Sequence, residues 1–208
     1  MSKRRSDAQQ TRQQLVAAGR KAFAKKGLRG VVLRDDVLGP AGVSTGSFYH
    51  QFENKTDLLL AILKDNAEAY RANVLDAMKP REGDSLEDQI RSSYTHTFDN
   101  ADNNGDVFMI GRRERSSTDK QVATFLADNH KLWEEELVSS YLQLFPASNR
   151  QHCLMVADFV IHQGQGVVED YLKLPKAKRS AARKELLEGL VKYTVGGITA
   201  LLGNPVNH

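Results

Sequence analysis

The sequence predicts an all-α protein, a short N-terminal three-helix domain followed by a larger helical domain. Three observations predict this class. Apolar residues recur at three- and four-residue spacing along most of the 208-residue chain. Between those stretches, Ser, Thr or Asn is followed three places later by an acid or Gln, the pattern of a helix start. No segment sustains the two-residue alternation of a half-buried strand. Cys153 is the only cysteine, which excludes an internal disulfide framework or a Cys-rich zinc site and suits a reducing compartment. The polar start "MSKRRSDAQQTRQQ" lacks the apolar centre of a secretory signal, and no apolar run is long enough to span a bilayer, so no membrane partner is expected.

The elements follow in order. In "DAQQTRQQLVAAGRKAFAKKG", Leu15, Ala18, Gly19, Ala22 and Phe23 form one apolar face, Lys25 and Lys26 favour the last turn, and Gly27 is a natural stop. A second helix spans about Leu33–Leu38, and Pro40 should end it by disfavouring helical geometry at Gly39. The starts "NKTD" (54–57), "SLED" (85–88), "TDKQ" (118–121) and "SNRQ" (148–151) open later helices. Breaks at Pro80–Gly83, Asn100–Gly105, Pro146 and Pro175 bound helices over about 56–79, 85–99, 104–115, 118–145, 148–173 and 177–202. The tail "GNPVNH" should fray.

The stretch "AGVSTGSFYHQFENKTDLL" (41–59) is chemically unusual. Ser44 is an N-cap, Val43 and Phe48 suit the two ends of a hydrophobic staple, and Phe48 and Phe52 share a buried side. Thr45, Ser47, Tyr49, His50 and Gln51 are left for the other surface of a helix running to about Gln51. All form hydrogen bonds and none is acidic. Gly46 costs the helix about 1 kcal/mol relative to Ala, a cost explained by close approach of a bulky partner. Lys55 falls in the first turn of the next helix, where the helix terminus already attracts phosphate. Charge agrees. Residues 1–55 carry 11 Lys/Arg against 4 Asp/Glu, net +7, and residues 56–208 carry 18 against 22, net −4. A polyanion partner is expected for the first quarter alone.

"TRQQLVAAGRKAFAKKG" followed by "VLGPAGVSTGSFYHQFENKTDLLLAIL" resembles the N-terminal DNA-binding domain of TetR-family bacterial transcriptional regulators over about residues 10–63. The resemblance implies a helix-turn-helix domain over residues 1–55 and an effector-binding and dimerisation domain over residues 56–208. It implies that Thr45, Gly46, Ser47, Tyr49, His50 and Gln51 face DNA, that Tyr49 and Lys55 grip phosphates, and that Arg34 adds a backbone contact. It further implies a ligand-responsive regulator, more often a repressor, in the cytoplasm at the nucleoid. Its partners would be operator DNA, a second copy of the chain and a small hydrophobic or amphipathic effector. Leu33 replaces the usual Thr or Ser cap, which predicts a weak start to the second helix. Leu38 replaces a common Ala, and Asp35 and Asp36 add negative charge near the phosphate path. No Arg lies in residues 45–51, so this helix is not expected to read guanine through Arg.

For the larger domain, "CLMVADFVIHQGQGVVEDYLKL" and "ELLEGLVKYTVGGITALLG" carry Gly164, Gly166, Gly189, Gly196 and Gly197 among apolar residues, which suits a four-helix interface between two copies. Pocket candidates are Phe98, Met109, Arg113, Trp133, Phe159, His162 and Gln163. Arg113 could meet an anionic head group, or "RRERSS" (112–117) could be a solvated face paired with Glu114 and Asp119. That run has a faint similarity to the fatty-acid-responsive branch of the family. The six histidines form no HExxH motif, and no Gly-rich phosphate loop follows a strand. No catalytic residue, cofactor or metal site is therefore expected. The alternative function is a helical regulator that works through protein partners without a small-molecule ligand.

Overall fold

The computed structural model describes residues 3–79, 81 and 83–205, with side chains from residue 6 onward. The side chains of Lys3, Arg4 and Arg5, part of the break at Pro80–Gly83, and the end of the tail (206–208) lie outside the described residues. Among the described residues the regular elements are helices and there is no strand. No helix among them is long and apolar enough to cross a membrane.

Helix α1 (Lys3–Gly30) is interrupted at Gly27, which has φ 68° and ψ 171°. The expected stop is therefore a break, after which one more turn leads to Gly30. The second helix departs further from expectation. A π-helical segment (Leu33–Leu38) continues directly into α2 (Gly39–Ala41), so Pro40 does not end it. Gly39 has no Cβ to clash with the proline ring and keeps helical angles of φ −58° and ψ −55°. Pro40 sits at the start of α2, where a missing N–H costs least. The stop is Gly42, at φ 63°. Its N–H donates to the Gly39 carbonyl (3.1 Å) and the Val43 N–H to the Leu38 carbonyl (3.2 Å), which is a Schellman motif.

The short α3 (Thr45–Tyr49) precedes α4 (Lys55–Ala77). Next, α5 (Leu86–Glu114) is one element where the sequence predicted two. The break expected over 100–105 shrinks to one distorted residue, Asn104 (φ −133°, ψ 27°), whose amide donates to Asn100 Oδ1 at 3.0 Å. Buried Tyr94, Phe98 and Ala101 before the kink and Val107 and Ile110 after it keep an apolar face on both sides. Helices α6 (Lys120–Leu144), α7 (Arg150–Lys173) and α8 (Lys176–Leu202) complete the chain. Two starts are shifted by one residue from expectation. Asp119, not Thr118, accepts the Gln121 and Val122 N–H groups, and Asn149, not Ser148, accepts the His152 N–H. Both lie one residue closer to the helix. Ser148 donates instead to the Leu202 carbonyl. Ser85 and Asp88 form the expected reciprocal capping box.

Packing divides the chain differently from a boundary at residue 55. The first compact unit comprises residues 1–67 and 106–127, and the second comprises 68–105 and 128–208. In the first unit, Leu15, Phe23, Val37, Phe48, Leu58 and Ile110 belong to one buried apolar cluster. Two polar contacts join α1 to α5 within that unit. Arg20 makes a bidentate pair with Asp106 (2.8 and 2.5 Å). The buried Glu114 carboxylate accepts the Leu28 N–H at 2.8 Å, just beyond the Gly27 break. In the second unit, α7 packs on α8, and buried Thr194 meets both the Tyr94 hydroxyl (2.8 Å) and the Gln163 amide (3.0 Å). Gly164 faces Tyr94 inside this unit, so it serves packing within the chain.

Two outcomes follow. Nothing lies within 4 Å of a Cβ built on Gly42, so Gly42→Ala has only a backbone cost. Urea unfolding should show a loss of roughly 1–2 kcal/mol. Burial alone would raise the Asp106 carboxyl, but the hydrogen bonds and charge of Arg20 hold it below the ordinary carboxylate range. A carboxyl lowered by folding contributes fully above about pH 4, and that contribution is lost as pH falls through the folded value. Asp106→Asn should therefore be less stable than the parent chain at neutral pH, with a smaller further loss of its own below about pH 4, measured by urea unfolding at each pH.

Candidate nucleic-acid interface

The site is built on a helix too short to stand alone. Ser44, extended at φ −69° and ψ 155°, accepts the Ser47 N–H at 3.1 Å and starts α3. Phe48 is fully buried and Phe52 nearly so, with ring centroids 5.8 Å apart. The Arg12 guanidinium of α1 lies 4.8 Å from the Phe52 ring centroid. These anchors fix which side of α3 faces outward.

The outward side carries Thr45, Gly46, Tyr49 and His50, all exposed, with Ser47 half-buried beside them. Tyr49 is 58% exposed while its ring stands edge-on to Phe48 at 5.3 Å, so packing orients a hydroxyl that solvent still reaches. The helix ends at Tyr49, shorter than expected, and His50 caps it. Gly46 has only Ser44 Oγ near a built Cβ, at 4.0 Å, so packing within the chain does not require glycine there.

Gln51 and Lys55 are engaged within the chain. The Gln51 amide donates to the Ala8 carbonyl at 3.3 Å, which turns it toward α1. Lys55 Nζ donates to the Val31 carbonyl at 3.0 Å, and an ammonium keeps two further donors. Asn54 accepts the Asp57 N–H and caps α4 as expected. Arg34 is exposed. Val32 precedes the π-helical segment without a side-chain cap, but Asp36 reaches back to its N–H at 2.9 Å. Lys26 pairs with Asp36 at 2.6 Å, and Lys26 and the Val32 N–H hold that carboxyl below its ordinary range. One of the two acidic charges expected to repel phosphate thus already has a cation beside it.

A sequence model of bacterial regulatory proteins of the tetR family matches residues 15–62, the segment that builds this cluster of helices. Over that segment the chain is similar to the tetR family. The transcriptional regulator AcuR of Cereibacter sphaeroides is 40% identical over 70 residues, 34% of this chain and 31% of AcuR. The regulator TtgR of Pseudomonas putida is 36% identical over 66 residues, 32% of this chain and 31% of TtgR. The repressor NemR of Escherichia coli is 32% identical over 88 residues, 42% of this chain and 43% of NemR. These alignments span about a third to two fifths of the length of the curated relatives. Solved tetR-family structures match the fold over nearly the whole chain. A regulator from Syntrophomonas wolfei has a TM-score of 0.72 at 18% identity, covering 93% of this chain and 97% of its own. Reduced E. coli NemR has a TM-score of 0.64 at 20% identity, covering 94% and 99%.

The residues expected to line a pocket fall in both units. Met109 and Arg113 belong to the first unit, and Phe98, Trp133, Phe159, His162 and Gln163 to the second. Phe159 is 56% exposed, and His162 and Arg113 are also exposed. In the "RRERSS" run, Glu114 is buried against Leu28, and Asp119 beyond it caps α6 and accepts the Thr56 hydroxyl, so neither is simply a surface counter-ion. Phe98 is buried edge-on to Tyr171, Trp133 lies 5.4 Å from Tyr70, and Gln163 reaches Thr194. Sequence reasoning missed the polar groups inside the second unit. The Tyr141 hydroxyl and Glu136 Oε2 are buried without a hydrogen-bond partner among the described residues. Burial pushes the Tyr141 phenol up, and it raises Glu136 against the opposing charge of Arg71. A tyrosine and a glutamate within helical periodicity carry no sequence mark that separates them from surface or core.

Ser44→Ala should cost about 1 kcal/mol in urea unfolding through loss of the cap. Gly46→Ala should leave stability unchanged or raise it by up to about 1 kcal/mol.

Proposed function

We propose that this chain is a transcriptional regulator that binds operator DNA as a homodimer and is released or tuned by a small hydrophobic or amphipathic effector. The observation that carries the DNA-binding part is the outward side of α3. It is capped by Ser44, anchored by Phe48, and presents Thr45, Gly46, Ser47, Tyr49 and His50 without an acidic group. Similarity to the tetR family over residues 15–62 supports docking of this short helix in a major groove. Arg34 and the remaining donors of Lys55 are then phosphate contacts beside it. Gln51 contacts DNA only if it leaves the Ala8 carbonyl.

Two copies are needed to place recognition helices about 34–36 Å apart in successive grooves. The exposed apolar residues of α7 and α8 support these helices as the dimer face: Met155, Phe159, Tyr193 and Leu201. Nothing lies near a built Cβ on Gly166, Gly189, Gly196 or Gly197, which leaves these positions open to a second chain. Phe159 then serves the dimer and not the pocket. For the effector, the partnerless Tyr141 hydroxyl and Glu136 Oε2 favour a mainly apolar ligand with a polar group that satisfies one of them. Repression, as in NemR by its name, is the favoured direction of control.

DNA binding is tested by fluorescence anisotropy with duplex fragments from upstream of the chain's own gene. Affinity should fall steeply with salt. Tyr49→Ala should weaken binding about tenfold or more with stability nearly unchanged. Lys55→Ala should weaken binding and also lower stability, because the Val31 carbonyl loses its donor. Salt-insensitive capture of a protein, with no duplex bound, would favour action through protein partners instead.

A further inference from the structure

Two ionisable pairs face each other inside the second unit. His130 and Glu134 are one turn apart on α6, and Asp158 and His162 are one turn apart on α7. His130 Nε2 lies 3.6 Å from both Glu134 Oε1 and Asp158 Oδ1. The ligand atoms of His130, Glu134 and Asp158 all fall within 4.8 Å of one another, and the three residues are partly buried. His162 Nδ1 is 3.0 Å from Asp158 Oδ1 and 2.9 Å from the Asp158 carbonyl, and its ring meets that of His130 with centroids 5.6 Å apart.

We propose that His130, Glu134 and Asp158 bind a divalent transition-metal ion of the zinc class, with His162 as a positioning residue for the Asp158 carboxylate. Zinc holds nitrogen and carboxylate oxygen at about 2.0–2.2 Å, so tetrahedral ligands sit about 3.3–3.5 Å from each other. The two His130 separations match that spacing, and a small rotation of a partly exposed carboxylate closes the third. One imidazole and two carboxylates give a net charge of −2 that offsets the ion. The nitrogen ligand favours zinc, nickel, cobalt or copper over magnesium or calcium. The Nδ1 contact of His162 with a ligating carboxylate is the kind of outer contact that fixes ligand orientation at metal sites. A fourth position is left for water or an exogenous ligand. The site joins α6 to α7 and does not depend on the DNA-binding proposal. It departs from the sequence expectation of no metal because each half, taken alone on its helix, is an ordinary surface pair.

The test uses the full chain without an affinity tag, stripped with EDTA and titrated with Co²⁺, then with Zn²⁺. The expected result is one Co²⁺ per chain, with the visible d–d absorption of a four-coordinate site, displaced by Zn²⁺ and not by Mg²⁺. His130→Ala and the isosteric Asp158→Asn should abolish the absorption while circular dichroism stays helical. His162→Gln should keep the site but weaken it roughly 10–100-fold. His152→Ala, at an exposed histidine near the start of α7, should change nothing. Absence of d–d absorption, retention of full affinity in Asp158→Asn, or loss of binding in His152→Ala would each overturn the proposal.

Discussion

The proposed interface depends on burial of two phenylalanines. A helix as short as α3 has too few internal hydrogen bonds to persist in water, and its Gly46 weakens it further. Phe48 and Phe52, at most 2% exposed, tie it to the apolar cluster of the first unit. That attachment fixes the rotation of α3 about its own axis. The same rotation that buries Phe48 exposes Thr45, Gly46 and Tyr49, so core packing and surface chemistry are set together. The Ser44 cap and the Gly42 turn fix where α3 begins. The Schellman motif closing α2 lets the chain reverse within three residues between the two helices of the motif.

The first unit is larger than the N-terminal motif suggests, because residues 106–127 complete it. Glu114 supplies an acceptor for a backbone N–H that the break at Gly27 would otherwise leave buried and unpaired, an omission that costs about 1–3 kcal/mol. Arg20 and Asp106 add a bidentate, partly buried pair between the same two helices. The arginine-rich run that suggested a ligand head group therefore belongs to a segment that supports the N-terminal helices. In the second unit, buried polarity is concentrated on tyrosines. Tyr94 is pushed up to about 12 by burial against its hydrogen bond to Thr194, and the Tyr141 hydroxyl has no hydrogen-bond partner among the described residues.

The helical class, the start of α3, its buried side and the caps Asn54 and Ser85 were legible in the sequence because each rests on contacts within four residues. Errors arose where a neighbouring residue or a distant partner decides. Pro40 marked a stop on local sterics, but Gly39 before it lacks the Cβ that makes the rule bind. The Asn100–Gly105 break was overstated because apolar faces on both sides keep α5 continuous through Asn104. Thr118 and Ser148 lost their capping roles to Asp119 and Asn149, a competition between adjacent acceptors that residue type alone left undecided. Gln51 and Lys55 have the composition of a DNA-facing surface, yet their partners, the Ala8 and Val31 carbonyls, come from α1 and the turn after it. The pocket candidates were chosen as unusual residues in apolar surroundings, and they fall in both units. The pairs His130–Glu134 and Asp158–His162 become one cluster only when α6 and α7 are brought together.

Amide hydrogen exchange on the full chain, with and without duplex DNA from upstream of its own gene at low salt, tests the central claim most directly. The account predicts slowed exchange over residues 44–55, with the amides around Ser44 and Tyr49 among the most protected. Duplex binding that leaves this segment unchanged and protects only surfaces elsewhere would contradict it.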